Sequence, residues 1–275
     1  MRPGIGVKHQ MSIEETLPAE IWRSRRLIGK LAKNDIKTRF AGSYLGIIWA
    51  FVQPVVTVCI YWLVFGHGLK SGQSLGVPFL VYLVCGIVPW FYCQEVMSAG
   101  TATLLEYSYL VKKVVFNIRV LPVVKILSAL FVHLFFVLVA LVIAALHGYF
   151  PSIYLIQLPY YYFAMLVLLI GLVYATSSIV VFFRDMSQIV NIALQFGVWS
   201  VPIMFDVRSF QHIAWLFKIN PMYYIVTGYR DAIYGRQWFF SRGPATLYFW
   251  VWAIGMYLLG NAVFRRLKPH FADVL

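Results

Sequence analysis

Apolar positions in this chain fall mostly into long unbroken blocks, and polar positions collect between them. A helix that crosses a membrane needs about 20 mostly apolar residues. Six blocks approach that length: 47–65, 79–103, 120–146, 160–183, 189–205 and 245–264. The third is long for one straight crossing and is expected to tilt or to extend past the bilayer. Residues 20–40 carry a different pattern. Arg23, Arg26, Lys30, Lys33 and Lys37 recur at steps of three and four, which stacks them on one helical face. Ile21, Ile28, Leu31, Ala32 and Ile36 cluster opposite, and Arg25 and Arg39 break the stripe. This predicts an amphipathic helix in the membrane interface. Between the fifth and sixth blocks, 207–240 holds two short apolar pieces interrupted by Asn220-Pro221 and followed by Gly228. Neither piece can span, so the pattern predicts a re-entrant helical hairpin or, alternatively, a loop lying on the outer surface. The fold expected is all-α: a polytopic membrane protein with an N-terminal segment (1–46), a six-helix transmembrane domain (47–264) and a tail (265–275).

Polar residues inside the blocks are themselves periodic. Trp49, Gln53, Thr57 and Tyr61 repeat every fourth residue of the first block, and Gln188, Asn191, Gln195, Trp199 and Pro202 step by three or four along the fifth. Amides are costly in hydrocarbon and turn towards other helices or water. Each stripe is either helix-packing glue or the lining of a passage. Two stripes rich in amide and aromatic groups suit sugar rings, which stack on aromatic faces and hydrogen-bond amides. Glu95 and Lys125 are the charges deepest in the blocks. They lie at similar depth from the same side, which predicts an intramembrane ion pair between them. His133 reads as a packing histidine.

Composition agrees with lipid as the main solvent. Hydrophobic residues make up 61% of the 275 and charged residues 12%, against about 25% charged in ordinary soluble chains. The net charge of +13 is distributed by side. Sixteen Lys and Arg precede the first block, occupy the second-to-third and fourth-to-fifth connections or follow the sixth block, and six occupy the other connections. The positive-inside rule then puts both termini in the cytoplasm. Residues 1–46 lack the short apolar run of a cleavable leader, so insertion is expected to start with the first span. The charge does not accompany a recognisable nucleic-acid module. Cys59, Cys85 and Cys93 all fall inside blocks and read as small apolar residues, not as a disulfide or metal framework. A phosphate-binding G-x-x-x-x-G-K-[ST] loop is missing, so the chain is not expected to hydrolyse ATP. The ten acidic residues are scattered, which argues against a metal-dependent intramembrane transferase. An ion-coupled carrier stays open, although inverted repeats are not evident.

Several short runs together resemble a known family. They are Gly42-Ser43-Tyr44-Leu45-Gly46-Ile47-Ile48-Trp49 leading to Gln53-Pro54, Gly86-Ile87-Val88-Pro89-Trp90, Phe182-Phe183-Arg184-Asp185, and Asn220-Pro221-Met222-Tyr223-Tyr224-Ile225-Val226-Thr227-Gly228-Tyr229-Arg230-Asp231. The chain resembles ABC-2 type export permeases of the polysaccharide and polyol-phosphate branch, over roughly residues 27–267. The hairpin run looks most like wall teichoic acid exporters, ahead of O-antigen and capsule exporters. A drug or small-lipid exporter of the same family is the nearest rival.

The resemblance implies a homodimer in the bacterial cytoplasmic membrane with two copies of an ATP-binding subunit, which holds ATP and Mg while this chain holds no cofactor. It implies a substrate pathway between the first and fifth spans, lined by Trp49, Gln53, Thr57, Tyr61, Asn191, Gln195 and Trp199. It implies a cytoplasmic coupling helix at 104–117, with Glu106, Tyr107, Tyr109, Lys112 and Lys113 as ATPase contacts. Arg184 and Asp185 are either a second coupling point or a topology charge and a helix N-cap. The hairpin would guard the outer exit through Pro221, Tyr224, Arg230 and Asp231. Arg23, Arg26, Lys30, Lys33 and Lys37 are either a topology anchor or a collar that meets an anionic, undecaprenyl-diphosphate-linked polymer.

Overall fold

The computed structural model describes residues 17–39, 41–69, 76–111 and 117–275. The chain is all-α there. Two N-terminal helices, α1 (Leu17–Arg23) and α2 (Arg25–Arg39), replace the single helix expected at 20–40, with Ser24 between them. Three helices follow: α3 (Trp49–Tyr61), α4 (Phe79–Glu106) and the short α5 (Ser108–Val111). Next come α6 (Leu121–Leu146), α7 (Gln157–Phe182) and α8 (Met186–Trp199). The hairpin consists of α9 (Ala214–Ile219) and α10 (Pro221–Arg230), and α11 (Gly243–Leu267) and α12 (Phe271–Val274) close the chain. A 3-10 turn leads into α3 and a π-helical segment, Trp62–Gly68, extends it.

Five helical stretches among the described residues are long and apolar enough to cross a membrane: Gly46–Gly68, Phe79–Glu106, Ile118–Leu146, Ile153–Phe182 and Phe239–Val274. The block expected as a fifth span, 189–205, is different. Its helix ends at Trp199 after 14 residues. At about 1.5 Å per residue that covers about 21 Å, short of the roughly 30 Å hydrocarbon layer. Pro202 supplies the reason: it has no N–H to donate to the preceding turn, and its ring crowds that turn's carbonyl. Residues 200–206 continue as turns and bends, and Pro202 is buried off the helix, where its carbonyl accepts from Tyr82 Oη at 3.1 Å.

The helix α4 is the centre of the bundle. It packs against α6, α7, α8 and α10, and most of its residues are buried. By contrast, no residue of 46–68 is buried. That helix touches the bundle through Phe51, whose ring meets Phe135 edge-on at 4.5 Å between centroids, and through Val58, Tyr61, Trp62 and Phe65. The tightest pair is α7 with α11. A Cβ at Gly260 would come 1.9 Å from the Gly171 carbonyl oxygen, so the two backbones meet where both residues lack side chains.

At one end of the bundle, Leu17, Val111, Phe264 and Phe271 share a buried cluster with Leu104, Leu121 and Tyr174. The tail is therefore packed down: Phe271 sits on Phe264, with ring centroids 5.5 Å apart. At the other end, α9 and α10 meet at Asn220, whose side chain caps the Met222 amide at 2.9 Å, and Pro221 takes the first helical position. Of the two, α10 is driven inward between α4 and α7, whereas α9 keeps an exposed apolar surface that includes Trp215 and Leu216.

Gly260→Ala is expected to destabilise the protein by more than about 2 kcal/mol, because backbone cannot yield to the added methyl. Gly255→Ala on the same helix meets nothing within 4 Å and should be nearly neutral. Thermal unfolding of the two purified variants in detergent checks the contrast, and equal midpoints would refute it.

Candidate functional site

The first polar stripe and two residues of the second face one cleft. A cavity of about 840 Å³ is lined by Trp49, Gln53, Thr57 and Tyr61 of α3 and by Gln195 and Trp199 of α8. Its floor is α4, through Trp90, Gln94, Glu95 and Ser98, and α6, through Val132, His133 and Phe136. At the end away from the N-terminal helices the walls approach, with Phe65 and Trp199 ring centroids 6.3 Å apart. Asn191 is not on the cleft wall itself but accepts a hydrogen bond from Ser98 Oγ at 3.1 Å. Gln188 is exposed and lies outside the cleft lining.

The cleft also draws on residues that the sequence reading did not single out. Trp90, Gln94 and Ser98 repeat every fourth residue along α4, a third stripe of the same kind as the other two. His133 belongs to the packed floor: its Nε2 lies 2.9 Å from Tyr229 Oη, and its ring stacks on Tyr162.

The charges pair differently from expectation. Glu95 and Lys125 do not meet. Glu95 is held by Arg39 through both guanidinium nitrogens, Nη2 at 2.8 Å from Oε2 and Nη1 on Oε1. Lys125 Nζ lies 2.7 Å from Asp35 Oδ1 and 2.5 Å from Glu106 Oε2. Similar depth was the wrong criterion, because α2 brings its own charges to the bundle. Ile28 and Ala32 of α2 pack on Val124 of α6 and on Val120 just before it, and Asp35 extends the same face one turn further. The signal was legible as a carboxylate on the apolar side of an amphipathic helix. Burial alone would raise the Asp35 carboxyl, but the hydrogen bond and charge of Lys125 and the Tyr107 hydroxyl at 2.9 Å hold it below the usual carboxylate range. Its contribution to stability is thus present above the ordinary carboxylate pKa and is lost only as pH falls through the lowered folded value. A third pair, Arg119 with Glu20 at 2.8 Å, anchors α1, and Arg119 Nη2 also donates to Asn261 of α11 at 2.7 Å.

The basic stripe, Arg23, Arg26, Lys30, Lys33 and Lys37, is exposed on the face of α1 and α2 away from α6. Among the proposed ATPase contacts, Glu106 and Tyr107 turn inward to the Asp35–Lys125 cluster, while Tyr109 is exposed. Lys112 and Lys113 lie outside the described residues; in place of one helix at 104–117, residues 104–106 end α4, Tyr107 turns and α5 runs to Val111. Arg184 and Asp185 are exposed in the turn between α7 and α8; Asp185 stands at the N-cap position without a side-chain cap bond.

The hairpin charges are locked in place. The Arg230 guanidinium lies 3.5 Å above the Tyr82 ring centroid and donates to the carbonyl oxygens of Tyr82 at 3.3 Å and Ile203 at 3.2 Å. Gly86 makes room for it, since a Cβ there would lie 2.5 Å from Arg230 Nη2. Asp231 pairs with Arg242, with Nε 2.8 Å from Oδ2. Tyr224 Oη shares hydrogen bonds with Tyr160 and Thr246, and Pro221 opens α10.

A multi-pass helical membrane protein, with a polar and aromatic cleft between two of its helices and a broken helical hairpin beside it, is the class these features define. Residues 26–234 match the profile of the ABC-2 type transporter, and the chain belongs to that family. It is 25% identical over 221 residues to the O-antigen export system permease protein RfbA of Myxococcus xanthus, covering 79% of this chain and 84% of that one. Against an O-antigen export system permease protein RfbA of Klebsiella pneumoniae it is 23% identical over 90% of this chain and 95% of the relative. The polysialic acid transport protein KpsM of Escherichia coli matches at 23% over 84% of this chain and 89% of its own length.

Lys125→Met is expected to cost about 3 kcal/mol, because it leaves buried Asp35 without its cation. Adding Asp35→Asn should recover most of that loss. Thermal unfolding of the single and double variants measures the coupling; a double variant no more stable than Lys125→Met alone would exclude the pair.

Proposed function

We propose that this chain is the channel-forming permease of a bacterial ABC exporter that moves a lipid-linked polysaccharide across the cytoplasmic membrane. One observation carries the reading: two amide and aromatic stripes from separate helices converge on a single cleft, in a chain of the ABC-2 type transporter family. The named relatives support a saccharide cargo, being permeases for O-antigen and a transporter of polysialic acid. Wall teichoic acid rests on the hairpin motif alone and is the second choice.

In this reading Trp49, Tyr61 and Trp199 offer flat faces to sugar rings, and Gln53, Thr57 and Gln195 hydrogen-bond hydroxyls, with Asn191 orienting Ser98. Flat faces and amides accept many successive sugars, as a moving polymer requires. Because α3 is unburied in the single chain, a second copy enclosing the two clefts accounts for the open side of the passage. The polymer threads between the copies while its undecaprenyl-type tail stays in the bilayer, and the exposed cations of α1 and α2 gather its diphosphate. ATP and Mg are held by a separate subunit that docks at Tyr109, Lys112, Lys113 and the Arg184–Asp185 turn. From there, motion passes through Glu106 and Tyr107 to Lys125. Pro221, Tyr224, Arg230 and Asp231 brace the hairpin at the outer exit. The shared packing of Leu17 and Phe271 at one end of the bundle agrees with both termini facing the cytoplasm.

Depletion of the protein is expected to leave lipid-linked polymer on the cytoplasmic side of the membrane, as measured by protease-independent surface labelling and lipid extraction. Thr57→Trp, which fills the cleft, should give the same accumulation while the ATPase still copurifies. Unchanged envelope polymers after depletion would end the export assignment.

A further inference from the structure

Arg39 stands apart from the other cations of its helix. Arg26, Lys30, Lys33 and Lys37 all lie outside the cleft lining, yet Arg39, at the last residue of α2, is part of it. Its guanidinium grips Glu95 end-on through its two terminal nitrogens, and the two side chains are only partly covered, 45% and 32% exposed. Gln53, Gln94 and Ser98 border the same end of the cleft. Among the described residues, Glu95 is the one carboxylate in the lining.

We infer that the Arg39–Glu95 pair is an oxyanion-recognition site at the mouth of the cleft, in which an acidic group of the cargo replaces the Glu95 carboxylate on Arg39. The inference rests on the export reading and names the recognition step within it. A guanidinium fork binds a two-oxygen edge and does not distinguish the edge of a carboxylate from that of a phosphate. Glu95 therefore occupies Arg39 as an internal stand-in for such a group. Several features make the exchange feasible. The pair is open to the cavity, so the incoming anion reaches Arg39 without unfolding the bundle. The released Glu95 has polar neighbours in Gln94 and Ser98 on its own helix and access to water. The resting cleft is neutral at this point, so an unpaired cation is not left to trap every passing anion. Lysine would not serve as well, because its ammonium is a single point charge without the fork. The oxyanion has two sources, a lipid diphosphate or an acidic sugar in the polymer, and they share the chemistry that Arg39 reads.

The full chain in phosphatidylcholine nanodiscs tests this by equilibrium binding of two radiolabelled probes, undecaprenyl diphosphate and an oligosialic acid. Glu95→Gln removes the internal competitor and is expected to tighten binding of the recognised probe about tenfold, whereas Arg39→Lys loses the fork and should weaken it about tenfold. Tightening for the lipid alone assigns the site to the carrier phosphate, and tightening for the sugar acid alone assigns it to the polymer; either outcome supports the exchange. If Glu95→Gln weakens binding as Arg39→Lys does, the pair is only a structural brace and the inference fails. If neither variant changes the affinity for either probe, it fails as well. Polymer accumulation on depletion, measured separately, shows whether the export reading survives such a failure.

Discussion

Charge has no water to fall back on inside a bilayer, and that constraint organises the end of the bundle where the N-terminal helices pack. Lys125 enters α6 only a few residues from its start and cannot stay unpaired there. Its partners come from outside the span: Asp35 on the interface helix and Glu106 at the end of α4. Satisfying Lys125 therefore fixes α2 along α6. That placement carries Arg39 to Glu95, which in turn settles the second intramembrane charge. With Arg119 and Glu20 added, three ion pairs among the described residues attach the N-terminal helices to the bundle. Such pairs contribute little net stability when compared with apolar replacements, but they are specific, since breaking Lys125–Asp35 or Arg119–Glu20 leaves a buried charge.

A second constraint acts at the opposite end. The irregular segment after α8, beside the hairpin, exposes backbone groups that hydrocarbon cannot satisfy. Arg230 meets part of this need by donating to two carbonyls, one on α4 and one in the irregular segment after α8. The space it occupies exists because residue 86 is glycine. Between the two fastened ends lies α3, none of whose residues is buried and which meets the bundle along one side only. The cleft is thus bounded by a rigid floor on α4 and α6 and by a lightly held wall. At the foot of α4, Glu106 holds Lys125 and Tyr107 holds Asp35, so the floor is tied to the interface helix.

Much of the cleft was legible beforehand. The period-four repeat of Trp49, Gln53, Thr57 and Tyr61, and the matching run through Gln195 and Trp199, each define a helix face without reference to any neighbour. The corresponding repeat of Trp90, Gln94 and Ser98 carried the same information. Local rules were less reliable where termination decided the outcome: Pro202 stopped α8 at Trp199, although the apolar block runs on to Phe205. The expected Glu95–Lys125 pair does not form, for a different reason. Depth along a helix is a one-dimensional quantity, whereas pairing depends on which helices lie side by side and which faces they turn inward.

By itself the sequence determined the all-α membrane character, the positions of the long apolar helices and the faces on which their polar residues stand, because these follow from residue type and from the 3.6-residue helical period. Tertiary structure alone decided that two of those faces share one cleft, that Glu95 answers to Arg39, and that Lys125 answers to Asp35. Those facts depend on how helices distant in sequence are laid against one another, and a period within one helix holds no record of its neighbours.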